Sequence, residues 1–157
     1  MATITTALEQ LFKEKGMPMQ KQELDNHQYV YNGAYRLAED HTIPFDIVIR
    51  EFKDDSKVTE YQISYRNITQ VKDYSQTPKA LEAINDLNRQ LSGYYTIVLA
   101  GDGEIYLRLL SRTTIDVQIL YELLVFGSAT ARVVYPKLEK AINNREVEVI
   151  NHNQHHS

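Results

Sequence analysis

Five histidines are the first residues with obvious chemistry: His27, His41, His152, His155 and His156. Imidazole ligates zinc, copper or nickel, and three of the five crowd into the last residues of the chain. A native zinc site needs a fixed, shaped ligand set, so His152, His155 and His156 read as part of a polar tail. His27 and His41 lack a carboxylate–histidine spacing and read as loop residues. Glu39-Asp40 and Asp54-Asp55 are paired acids. Without the spaced acidic loop and distal glutamate of a calcium site, they read as solvated turns. Gly101-Asp102-Gly103 has the look of a phosphate cradle, but the residues after it alternate like a strand. A phosphate loop leads into a helix N-terminus, so this is a hairpin turn. Ser64 in a strand and Ser92 at a helix end lack a nucleophile-elbow setting. The absence of cysteine excludes thiolate metal sites, disulfides and cysteine nucleophiles. No catalytic set, metal site or cofactor site follows from these residues.

Arginines are more informative. Arg36, Arg50, Arg66 and Arg108 each fall on the polar phase of an alternating segment, and Tyr106 shares that phase. So do Val30, Val48 and Val98. If the alternating segments are strands of one sheet, these residues meet on the face turned away from the core. Arginine and tyrosine with apolar gaps suit recognition of carboxylates, phosphates or a protein segment. Asp46, Glu60 and Glu104 share the phase too, so cross-strand ion pairs on a solvated face are the competing use. Tyr29, Tyr31, Tyr35, Tyr61, Tyr65 and Tyr95 take the opposite phase, where rings pack in a core and hydroxyls reach its rim.

The elements that position them follow from periodicity. Ile4, Leu8, Leu11 and Phe12 make a helical stripe, begun by Thr3 or by a Thr6/Glu9 capping box and ended by Gly16 and Pro18. Three strands follow around Tyr29–Leu37, Ile43–Ile49 and Tyr61–Tyr65, broken by Glu39-Asp40-His41 and Asp54-Asp55-Ser56-Lys57. Thr77 as cap and Pro78 at the first position start a second helix, with Leu81, Ile84, Leu87 and Leu91 as its stripe and Gly93 closing it. Strands around Tyr95–Leu99 and Ile105–Leu109 flank the Gly101-Asp102-Gly103 turn, where both glycines accept positive φ. A last helix starts near Thr114 or Asp116, carries Val117, Leu120, Leu123, Leu124 and Ala131, and is expected to kink or break at Pro136. The order α-β-β-β-α-β-β-α predicts an α+β fold: a two-layer sandwich, its antiparallel five-stranded sheet covered by helices on one face. Residues 1–150 form a single domain and 151–157 a flexible polar tail.

Composition bounds the rest. The 157 residues are enough for one core, and a net charge of −4 makes nucleic acid an improbable partner. No apolar run approaches a membrane span, and Met1–Gly16 lacks a signal-peptide pattern, so a cytoplasmic location is expected.

The element order, with Leu87-Asn88 in the central helix, Gly101-Asp102-Gly103-Glu104 between two strands, and Val134-Tyr135-Pro136-Lys137-Leu138 ending the last helix, resembles the YbjN-like family. That family shares its fold with the type III secretion chaperones, and the similarity spans Ile4 to about Ile142. The resemblance implies an intracellular, non-enzymatic protein, a homodimer in many members, with a chaperone-like or regulatory role toward an unknown protein partner. It supplies no catalytic motif. The expected function is thus protein binding, with Arg36, Arg50, Arg66, Tyr106 and Arg108 as the partner-binding residues. The rival expectation is a small-molecule binder or enzyme with a pocket between sheet and helices.

Overall fold

A computed structural model describes residues 3–50 and 58–151. The Asp54-Asp55-Ser56-Lys57 break and the histidines His152, His155 and His156 lie outside the described residues.

Helix α1 (Ile4–Glu14) is begun by Thr3, whose hydroxyl takes the Thr6 N–H while the Thr6 hydroxyl takes the Thr3 N–H. Four strands follow: β1 (Gln20–Leu24), β2 (Gln28–Ala38), β3 (His41–Arg50) and β4 (Thr59–Gln70). Helix α2 (Thr77–Gln90), strands β5 (Thr96–Leu99) and β6 (Glu104–Thr113), and helix α3 (Gln118–Asn143) complete the chain. All strand pairs are antiparallel, in the spatial order β1-β2-β3-β4-β6-β5.

The sheet therefore has six strands, not the expected five, and the element order gains a strand before the first expected one. The extra strand, β1, reads Gln-Lys-Gln-Glu-Leu and is exposed at every residue. It has no apolar alternation to betray it. Backbone pairing with β2 holds it, and Asn26 and His27 take left-handed conformations in the turn between them. Its polarity also discourages pairing with a foreign strand.

Odd-numbered residues of β2, β3 and most of β4 face the helices. Tyr31, Ile43, Ile47, Tyr61, Ile63 and Tyr65 are buried there, joined by Ile97, Ile105, Leu107 and Leu109. The helices touch this face: Phe12 of α1 meets the Tyr31 ring edge-on, and the hydroxyls of Tyr65 and Tyr95 donate to the carbonyls of Leu124 and Leu123 in α3. Gly127 makes that approach possible. A Cβ there would lie 2.1 Å from the Tyr65 ring and 2.6 Å from the Tyr95 hydroxyl. Burial pushes both phenols well above their usual range, so they remain donors.

Three local expectations are corrected. Thr77 is not the cap of α2: a 3-10 turn, Tyr74–Gln76, runs into the helix and is itself capped by the Asp73 carboxylate on the Ser75 N–H. The helix buries Ala80, Ile84 and Leu87, leaving Leu81 and Leu91 exposed, because small Ala80 permits the closer approach. Helix α3 neither stops nor breaks at Pro136. The proline is half-buried on the outer side of the helix, where water can serve the carbonyl its missing N–H leaves over. In the β5–β6 turn only Gly103 has positive φ, +91°, and a Cβ there would lie 2.4 Å from the Val71 carbonyl. No helix of the described residues is long and apolar enough to cross a membrane.

Candidate functional site

The even-numbered residues of β2, β3 and β4 and the matching ones of β6 form the sheet face turned away from the helices. Register builds it in rows. Val30, Val48, Gln62 and Leu110 stand side by side across β2, β3, β4 and β6. The neighbouring row is polar: Asn32, Asp46, Ser64 and Arg108. On the other side of the apolar row, Gln28 faces Arg50 and Glu60 faces Arg112. Leu110 is 60% exposed, the most open apolar residue of the face. These rows enclose a groove of about 490 Å³ between Val48 and Leu110, with Arg50 and Arg112 at its rim.

All five expected residues lie on this face, but they are not equivalent. Arg66 is held: its guanidinium is 2.7 Å from the Glu104 carboxylate and 4.0 Å over the Tyr106 ring. The other Glu104 oxygen accepts the Asn67 N–H at 2.9 Å, at a bulge where Asn67 takes positive φ and the β4–β6 register slips. Glu104 is buried, so Arg66, Glu104 and Tyr106 together brace the bulge. Tyr106 is half-buried, with that guanidinium over its ring. Arg108 donates from Nε to Gln62 at 3.1 Å, and Gln62 in turn donates to Ser64. Arg36 sits at the hairpin end, within 3.5 Å of the Glu39 carboxylate. Arg50 and Arg112 make no ion pair among the described residues. Burial raises the Asp46 carboxyl above its usual range, with nearby Arg66 opposing the shift.

A second polar cluster lies where α3, β3 and the β4 bulge converge. Glu139 is 5% exposed although it carries a carboxylate. It accepts from the Thr69 hydroxyl, from Asn143 at 3.3 Å and from Arg145 at 3.5 Å, and Arg145 also reaches Asp40 at 3.3 Å. His41 is the first residue of β3 and not a loop residue as expected. Its Nε2 lies 2.8 Å from the Asn67 carbonyl and 3.1 Å from that of Ile68, so Nε2 carries the proton. Its ring packs 5.1 Å from Tyr135. These groups line an open hollow of about 610 Å³. His27 is in a turn, as expected. Among the described residues, no three histidine, aspartate or glutamate side chains gather as metal ligands.

Sequence reasoning missed Arg112 and Leu110, though both continue the open-face phase of Tyr106 and Arg108. It also missed Glu139, which carried a signal: an acid on the apolar stripe of Tyr135, Leu138 and Ile142.

No family model matches the chain, and no curated protein matches it.

Proposed function

We propose that the chain is a non-enzymatic, chaperone-like or regulatory protein-binding module of the cytoplasm, and that the YbjN-like resemblance of its sequence reflects kinship. The observation that carries the reading is the groove on the open sheet face. Val48 and Leu110, standing on either side of Gln62, line it beside two arginines without ion-pair partners among the described residues. An unpaired guanidinium beside exposed apolar surface suits an extended segment that offers both carboxylates and apolar side chains. Of the arginines expected to bind, Arg50 fits this role best, and Arg112 joins it. Arg66 and Tyr106 act by shaping the face, since their contacts are already made within the chain.

Selection of a displayed random peptide library on the native protein tests this. Enriched peptides should combine acidic and apolar residues. The double variant Arg50→Glu/Arg112→Glu should lose them at least tenfold in affinity while keeping its circular dichroism, as expected when two rim charges become repulsive. Equal binding by native and variant protein would place the site elsewhere.

Small-molecule binding is the second reading, favoured by the hollow beside buried Glu139. Against it, both Glu139 oxygens are already engaged, by Thr69, Asn143 and Arg145, and the side chain is buried, so little of the carboxylate is open to a ligand.

A further inference from the structure

The helix layer carries apolar surface that the fold leaves unused. Ile119, Phe126 and Val133 of α3 are 63%, 49% and 43% exposed, while the opposite side of the helix is buried against the sheet. They recur at heptad spacing, so they lie along one line of the helix. Tyr94, from the loop before β5, is exposed as well, and its ring lies 5.4 Å from Phe126. Single exposed apolar residues are ordinary, but an aligned series is the mark of an interface.

The same line carries charge with a direction. Glu122 lies toward the N-terminal end of α3 and Lys137 toward the C-terminal end. Neither makes an ion pair among the described residues. The smallest side chains of the line, Ala129 and Thr130, lie between them.

We propose that this line binds a second copy of the chain, α3 packing antiparallel on α3 about a two-fold axis that passes between Ala129 and Thr130. One axis at that place serves every residue of the line. It sets Glu122 against Lys137 of the other copy, Phe126 against Val133, and Ala129 against Thr130, where the helices approach most closely. It also sets Ile119 against the methylene stem of Lys140, whose ammonium holds Glu146 at 2.9 Å. A two-fold interface must be self-complementary in this way. Parallel packing would place Lys137 beside Lys137 and Glu122 beside Glu122, which repel. Continuity of α3 through Pro136 is required, because Lys137 lies beyond the proline. The proposal is independent of the peptide-binding reading, since it uses the helix layer on the other side of the sheet.

Sedimentation of the full chain from about 1 μM to 1 mM tests it, a range that spans the affinities of ordinary homodimers. The native chain should approach twice its 18.2 kDa mass as concentration rises. Phe126→Glu should remain a monomer. Glu122→Lys and Lys137→Glu should each raise the dissociation constant about tenfold, since each turns two symmetry-related ion pairs repulsive. Combined in one chain, the two reversals should restore dimerisation to within about threefold of native. Both charged positions are on the surface, so the swap remains decisive even where Phe126→Glu fails to fold. A native chain that is monomeric throughout, or a combined variant whose losses add instead of cancelling, overturns the proposal.

Discussion

Arg50 and Arg66 are the same residue type on the same sheet face, and their surroundings separate them. Alternation in the sequence was enough to place both on that face, because period-2 segments fix which side a residue takes once one side is buried. It did not reveal that Arg66 is engaged. That depends on the bulge at Asn67, which brings Glu104 of β6 under both Arg66 and the Asn67 N–H. A register slip has no period and leaves no pattern to count. Asp46 shares this neighbourhood, and its raised pKa gives a prediction with a definite sign. A carboxyl raised in the folded state contributes stability that is full below the ordinary aspartate value, near pH 4, and is lost as pH rises through the raised value. Asp46→Asn removes a group whose charged form is disfavoured by burial. The variant should therefore gain stability over the native protein as pH rises from about 4 to 7, with the smallest difference at the acid end. Urea unfolding of both proteins at the two pH values measures this. A difference that stays constant across the range would show that Asp46 acts through packing and not through its charge.

Among the elements, the sheet's two edges illustrate what patterning can and cannot reveal. Central strands β3 and β4 were plain in the sequence because burial imposes alternation on them. Edge strand β1 was invisible because an edge can be polar throughout. The other edge, β5, is apolar, and Asn88 of α2 closes it. The Asn88 carboxamide accepts the Ile97 N–H at 2.8 Å and donates to the Ile97 carbonyl at 3.1 Å, occupying both outward backbone groups as a neighbouring strand would. Leu87-Asn88 is one of the pairs that carry the family resemblance, and the contact gives Asn88 a physical role. Asn88→Ala should cost about 1–3 kcal/mol, because two backbone groups of a partly buried strand lose their partners. It should also raise the tendency to aggregate through the opened edge. Asn88→Asp keeps an acceptor for the Ile97 N–H but not the donor, so its loss should be intermediate if the amide's two bonds carry the effect. Denaturant unfolding orders the three proteins. Equal stability of Asn88→Ala and the native chain would mean that water replaces the carboxamide at this edge.

Across the whole molecule, the two-layer plan buries one face of the sheet and leaves two outer surfaces, the open sheet face and the outer side of α3. The buried face was legible from periodicity. Neither outer surface was fully so, since its meaning depends on which exposed residues stand together in space: Leu110 with Val48 across three strands, or Phe126 with Tyr94 from another element. The same plan sets a gradient of stability. Strand β4 is paired on both sides, carries Tyr61, Ile63 and Tyr65 in the core, and is tied through Tyr65 to α3. Strand β1 is paired on one side, exposed along its length, and linked to the helix layer by the exposed Lys21–Glu9 ion pair at 3.1 Å. An exposed pair of that kind contributes roughly 0–1 kcal/mol, too little to bind β1 to the opening of the core. Local opening should therefore release β1 well before the central strands. In native-state hydrogen exchange, amides of Gln20–Leu24 should exchange orders of magnitude faster than those of Ile63 and Leu107, whose exchange should follow global unfolding and respond fully to denaturant. Protection of β1 equal to that of β4 would instead make the sheet one cooperative unit, with the β1–β2 hairpin as much a part of the core as the strands that the helices cover.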